Sequence, residues 1–258
     1  MSKDFNPKDL GRLAVLEELS QSNDNFLQFV NSNLVEFVLN DYKTRLGSDI
    51  KPRVMNNWIK SGAVVVSESD KGKINRFNLS ENVWLEIFKE LRNYGLSLDK
   101  LKYAREQLNY NVKKFTYLKF NVIKSIFGNH SYMQIHDDGK IGFIPKSFYD
   151  KQVKRKARRI SLNLDFSDYV KDVFEDLCDD ERLDGLLDYE NIKKLKLLFC
   201  LRTNFYEKLT VKLSDGDVRL VADTRELLLN EELLSRILSM DFLSIRIDID
   251  KEVNFSID

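Results

Sequence analysis

Apolar residues recur at helical spacing over much of this chain. Leu10, Leu13, Val15, Leu16 and Leu19 predict a helix over 8–19, and Phe26, Phe29, Val30, Leu34 and Phe37 predict another over 24–36. This N-terminal segment reads either as a cap packed on residues 37–108 or as a dimerisation arm. From Val38 to Leu46, the residues Leu39, Tyr42 and Leu46 share a face. After the turn residues Gly47-Ser48-Asp49, Val54, Met55, Trp58 and Ile59 form the apolar stripe of a second short helix, 51–62. Pro52 suits its first turn, where a missing N–H is harmless, and Gly62 stops it. Two short helices joined by a tight, glycine-containing turn are the helix-turn-helix pattern, whose second helix enters the DNA major groove.

The pattern then changes period. Ala63–Val66 and Ile74–Phe77 are β-prone runs flanking the polar stretch 67–73, which predicts a hairpin, or wing. Ser80 is placed to cap a helix ending at Tyr94-Gly95, and Ser97 to cap one over 98–108. A further helix over 112–127 is either core or a dimer contact, since Leu101, Leu108, Phe115 and Val122 recur every seven residues but Asn109-Tyr110-Asn111 interrupts them. Residues 131–136 and 140–145 flank Asp137-Asp138-Gly139, a strong turn signal, and read as a hairpin.

Beyond 160, helices are expected at 167–178, 189–202 and 230–239, and strands at 207–213, 217–223, 242–249 and 252–257. Val211 and Leu213 alternate with Lys212, and Ile245, Ile247 and Ile249 alternate with Arg246 and Asp248, so each strand keeps one wet face. A faint internal repeat relates residues 201–221 to 238–257, with Phe205 answering Phe242 and each unit a helix followed by a hairpin. The fold class expected is α+β, in four segments: an N-terminal helical cap (1–36), a winged helix-turn-helix (37–108), a helix, β-hairpin and basic linker (109–159), and an α+β domain with an antiparallel sheet (160–258).

Composition sharpens this picture in two places. With 43% hydrophobic and 32% charged residues over 258 positions, the chain has the make-up of a globular protein of one large or two to three small domains. No apolar run is long enough to span a bilayer, and Met-Ser-Lys-Asp-Phe lacks the apolar core of a signal peptide; the expectation is a cytoplasmic protein with no membrane contact. Cys178 and Cys200 lack zinc spacing and read as free and buried. The net charge of zero hides a division. Residues 1–159 hold 28 Lys+Arg and 18 Asp+Glu, whereas residues 160–258 hold 13 and 23. The basic half is also the half with the helix-turn-helix pattern, which points it toward nucleic acid and leaves the acidic half for a protein partner. The run 151–159, with six basic residues, is either a solvated linker or a second phosphate contact.

The chemistry comes from the residue types on the second helix. Arg53 can donate to guanine, Asn56 and Asn57 can pair bidentately with adenine, and Lys51 and Lys60 can neutralise phosphate. Lys71, Lys73 and Arg76 sit where a wing meets the backbone of a duplex. The stretch RVMNNWIKSGAV, DKGKINRFNLSENVWLEIFKELRNYGLSLDKLK resembles the winged-helix DNA-binding domain of the MerR (mercury-resistance regulator) family. An Arg stands early in the recognition helix, an aromatic residue stands four before Gly, a Gly-containing wing comes next, and then Arg-x-aromatic. The segment Leu91–Leu98 is the most family-like. The resemblance covers roughly 70 residues and implies Arg53, Asn56 and Asn57 near bases, Lys73 and Arg76 near phosphates, and a homodimer reading paired half-sites. The acidic segment is similar to accessory domains that occur behind MerR-like winged helices in bacterial and phage proteins.

No enzymatic constellation accompanies these features: the chain has no P-loop, dinucleotide fingerprint, His-Glu-x-x-His or nucleophile elbow. His130, His136, Asp137 and Asp138 cluster in sequence, but adjacent strand residues face opposite ways and the Asp pair serves the turn. Neither metal nor cofactor is expected. The function expected is sequence-specific binding of double-stranded DNA by a bacterial or phage transcriptional regulator. The alternative is a DNA-binding accessory protein of a mobile element whose acidic domain recruits a partner. A pure interaction protein is the third reading.

Overall fold

The computed structural model describes residues 24–45, 50–66, 76–112, 115–154 and 161–258. In chain order these form α1 (Asp24–Val30), α2 (Asn33–Glu36), a π-helical turn (Phe37–Asp41), β1 (Lys43–Arg45), α3 (Pro52–Ser61), β2 (Arg76–Asn78), α4 (Leu79–Asn93) and α5 (Leu98–Leu108). Next come β3 (Asn111–Val112), β4 (Phe115–Thr116), α6 (Tyr117–Ile126), β5 (Ser131–His136), β6 (Ile141–Pro145), α7 (Lys146–Lys154), β7 (Ser161–Asp165) and α8 (Phe166–Val173). The remainder is a 3-10 turn (Glu181–Leu186), α9 (Ile192–Thr203), β8 (Lys208–Leu213), β9 (Val218–Val221), α10 (Thr224–Leu229), α11 (Glu231–Leu238), β10 (Phe242–Asp248) and β11 (Asn254–Ile257). The fold is mixed α and β, and every strand pair among the described residues is antiparallel. No described helix is long and apolar enough to cross a membrane.

Backbone packing divides the chain into two units, and the division does not coincide with the four sequence segments. Described residues within 35–125 and 129–173 form the first unit, and residues 24–34 join 126–128 and 174–258 in the second. The expected helix over 8–19 lies outside the described residues.

The first unit is built on α4. Val83, Trp84, Leu85, Ile87, Phe88 and Leu91 are fully buried, as the spacing of a two-sided core helix requires. Its cap is Asn78, whose side chain accepts from the Glu81 N–H at 2.8 Å. Ser80, the expected cap, lies inside the helix and is buried. Ser97 caps α5 as expected, accepting from the Lys100 N–H. The anticipated hairpin forms β5 and β6, with Gly139 left-handed at its turn. A third strand, β7, pairs with the other edge of β5 and has no counterpart in the sequence pattern. Phe166, immediately after it, packs edge-on against Phe143 at 4.7 Å. Helix α6 starts at Tyr117 rather than at 112, because the short β3–β4 ladder occupies the preceding residues.

The second unit is built on α9. Leu195 and Leu197–Thr203 are buried, so this helix runs through the core with almost no polar face. Helix α1 packs on it, with Phe29 edge-on to Phe199 at 5.8 Å and stacked on Phe127 at 5.4 Å. Residues 24–34 of the segment expected to cap 37–108 therefore belong to a different core. The single helix expected over 24–36 is broken at Asn31-Ser32, where the polar run Asn31-Ser32-Asn33 interrupts the apolar face. Arg202 is buried and paired: it holds Asp184 and donates Nη1 to the carbonyl of Ile126 at 3.4 Å. Cys200 is buried, and burial pushes its thiol up to about 12; Cys178 is half-buried rather than buried, and both are free.

The sheet of this unit has the order β11-β10-β8-β9. One face alternates buried Leu209, Val211, Leu213, Ile245, Ile247 and Ile257 with exposed or half-exposed polar residues, as the sequence pattern predicts. Its register contains an internal two-fold relation. Leu209 pairs with Val221 as Ile245 pairs with Ile257, and across the centre Leu209 pairs with Ile247 as Val211 pairs with Ile245. Corresponding residues are 36 apart in each case. That offset matches Phe242 to Tyr206, one residue from the Phe205 expected from the sequence repeat.

Candidate nucleic-acid interface

Helix α3 starts at Pro52 behind the extended residue Lys51 and ends at Gly62, which adopts φ 78° and donates its N–H to the carbonyl of Ile59. Only a residue without a Cβ takes that conformation at little strain. One side of α3 is fixed to the core. Met55 and Trp58 are buried, and the Trp58 ring lies 4.6 Å from that of Phe88. Just past the helix, the indole of Trp84 donates to the carbonyl of Ala63 at 2.8 Å, anchoring the exit of α3 to α4. Val54, expected in the apolar stripe, is instead 40% exposed, so the stripe narrows to Met55, Trp58 and half-buried Ile59.

The opposite side of α3 is polar and open. Arg53, Asn56, Asn57 and Lys60 are all exposed and stand at i, i+3, i+4 and i+7, one face of a helix. Lys51 is exposed at its start. None of these five side chains has an intramolecular hydrogen bond or ion pair among the described residues. Buried cations of the same unit behave otherwise: Lys119 holds Glu36 at 2.5 Å, and Arg105 holds Glu81. Residues 50–66 contain no carboxylate at all. The face therefore offers a guanidinium, two carboxamides and an ammonium to an external acceptor.

Two expectations about the surroundings are corrected. Of the helix predicted over 38–46, only a π-helical stretch to Asp41 forms among the described residues, and Leu46 with the turn 47–49 lies outside them. The chain leaves α2 through a π-helical turn, closed by the Tyr42 N–H on the Phe37 carbonyl at 2.8 Å, and then extends as β1. Tyr42 is exposed rather than on an apolar face. Residues 67–75 of the predicted wing lie outside the described residues, and its two flanks do not pair with each other among the described ones. Ala63–Val66 is irregular, although Ala63, Val64 and Val66 are buried, and the strand at Arg76–Asn78 pairs with β1 instead. Thr44 accepts from the Asn82 amide at 2.6 Å, which ties β1 to α4 and explains why 43–45 is extended rather than helical.

This pairing brings in a residue that sequence reasoning missed. Arg45 stands directly across the ladder from Arg76, and Arg76 is exposed. The only sequence signal for Arg45 is the short Lys43-Thr44-Arg45 alternation. Lys71 and Lys73 lie outside the described residues, as does the 155–159 part of the basic run; Lys146–Lys154 forms α7. His130 and His136 are held at opposite ends of β5, with His130 Nε2 2.7 Å from Asp165. Comparison of the chain with protein-family models, with curated proteins and with solved structures finds no match.

Proposed function

We propose that this chain binds duplex DNA as a sequence-specific transcriptional regulator, with α3 lying in the major groove. The observation that carries the proposal is the open face of α3: Arg53, Asn56, Asn57 and Lys60 in helical register, exposed and without intramolecular partners among the described residues. Arg53, Asn56 and Asn57 contact base edges, where each good bidentate pair supplies about 1–3 kcal/mol of discrimination. Lys51, Lys60, Lys71, Lys73 and Arg76 contact phosphates, which supply affinity and orientation rather than sequence information. The winged-helix resemblance supports the same placement and adds a homodimer reading two half-sites. The reading rests on α3 and on the β1–β2 pairing beside it, since the helix before the turn is replaced by a strand.

The test is selection of genomic fragments with the full chain, followed by fluorescence anisotropy on the enriched fragment over a salt series. Arg53→Ala is expected to relax one base position. Arg76→Ala is expected to weaken all sequences alike and to reduce the salt slope by about 0.9, the value for one phosphate contact. Equal affinity for every duplex, or none at low salt, overturns the proposal.

A further inference from the structure

The second unit contains a cleft of about 360 Å³ where the α1–α2 turn, the start of α9 and strands β10 and β11 meet. Leu34, Ile192, Ile247 and Phe255 give it an apolar floor. Its polar groups are less ordinary. From Leu195 to Thr203, Lys196 is the one residue of α9 that is not buried, and it opens into this cleft. Its ammonium has no carboxylate partner among the described residues, whereas Lys194 holds Asp188 at 3.3 Å and Arg202 holds Asp184. On the facing turn, the Ser32 hydroxyl is buried with no hydrogen-bond partner among the described residues. Buried polar groups almost always have one, so an unpartnered hydroxyl beside a cavity marks a place where a partner fits. Among the described residues no carboxylate lines the cleft, although residues 160–258 are acidic as a whole.

We propose that this cleft binds a small amphipathic carboxylate, with its anionic oxygens on Lys196 and Ser32 and its apolar body on Leu34, Ile192, Ile247 and Phe255. The charge count selects this class. One ammonium balances one carboxylate, whereas a phosphate dianion would leave a second charge to the neutral side chains Gln28, Asn31, Asn33 and Ser256, with no second cation to balance it. A neutral amide of the same shape forgoes the charge-assisted hydrogen bond. The volume is at the small end of ligand pockets, which excludes nucleotides and long acyl chains. The site is independent of the α3 face and stands or falls without DNA.

Benzoate and benzamide serve as probes, titrated separately into the full chain without DNA and followed by 1H–15N NMR. Benzoate is expected to shift the amides of Ser32, Ile192 and Phe255 saturably and to bind at least about tenfold more tightly than benzamide, as a hydrogen bond to a charged group implies. Lys196→Met, with its fold checked by circular dichroism, is expected to erase that preference. Should Lys196→Met not fold, Ile192→Trp fills the cleft with a larger side chain and is expected to abolish the benzoate shifts. Equal binding of the two probes means that an ordered water satisfies Ser32 and that Lys196 reaches solvent, and it overturns the proposal. So do unsaturated shifts, shifts confined to other residues, or benzoate binding that survives in either variant.

Discussion

Asn204 and Met240 both turn left-handed, with φ of 49° and 59°, just past the ends of α9 and α11. The residue before each returns a hydroxyl to the helix: Thr203 donates to the Phe199 carbonyl at 2.8 Å, and Ser239 to the Ser235 carbonyl at 2.9 Å. Each pair is again 36 residues apart, the offset that the strand register sets. The helix-hairpin unit is therefore repeated in its caps as well as its strands, and equivalent positions can be compared as internal controls.

The two caps are predicted to respond differently to exchange. Asparagine tolerates left-handed backbone, and the Asn204 side chain also accepts from the Thr224 N–H at 2.9 Å. Methionine at 240 has neither advantage. Asn204→Met should lose about 1–2 kcal/mol of unfolding free energy through the lost hydrogen bond and the strained backbone. Met240→Asn should leave stability within about 0.5 kcal/mol or raise it. Equal losses in urea titrations of the two variants would show that the backbone conformation is not what those positions select.

How much of the fold was legible in the sequence depends on how local each signal is. Ser97 at a helix start, Gly62 and Gly139 at left-handed turns, and the Val211/Lys212 and Ile245/Arg246 alternations are decided within a few residues, and all were legible. Strand partners are decided by distant residues. Thr44 extends because Asn82 and Phe77 meet it, so a stretch with helical spacing became β1, and the β-prone Val64–Val66 was left without a ladder. Ser161–Asp165 is a strand because it fills the second edge of β5, which no local pattern announces. The exposed face of α3 was legible because it depends on helical spacing alone. The opposition of Arg45 and Arg76 was not, because it depends on register.

A buried ion pair in the first unit gives a second prediction. Arg105 is buried and pairs with half-buried Glu81, and Arg105 lies 6.0 Å from the centre of the Trp84 ring. Their desolvation is incompletely compensated, since Arg105 Nε and Nη1 and Glu81 Oε2 lack partners among the described residues. Removing one charge strands the other. Arg105→Met alone should lose about 3–5 kcal/mol, and Glu81→Gln added to it should restore most of that loss. Urea denaturation of both variants checks it; a double variant as unstable as the single would mean that Arg105 acts through packing.

Asp180 supplies a pH-dependent element. Its carboxylate takes two hydrogen bonds from the Arg182 guanidinium, at 2.9 and 2.7 Å, and one from the Arg182 N–H, and the Arg182 side chain holds its pKa down to about 2 from an ordinary 3.8. A depressed folded-state pKa stabilises above the unfolded value and is lost as pH falls through the folded one. Asp180→Asn keeps a cap oxygen and removes the charge. The variant should be less stable at pH 6 by under about 1 kcal/mol, since the pair is partly solvated. The difference should close as pH falls from about 4 to about 2. A difference that does not change with pH in thermal melts would assign the effect to capping alone.

Arg76, exposed on β2, separates stability from DNA binding. In the free protein Arg76 is exposed, so Arg76→Glu should leave unfolding free energy within about 0.5 kcal/mol. Under the proposed function the same change deletes a phosphate contact and adds repulsion, so affinity should fall for every sequence and the salt slope should drop by about 0.9 or more. Raising salt should narrow the gap between variant and wild type, because both the lost attraction and the added repulsion are screened. A variant that keeps its stability while losing affinity assigns Arg76 to phosphate binding. One that loses both has a damaged β1–β2 ladder, and one that loses neither removes Arg76 from the interface and leaves α3 to act without it.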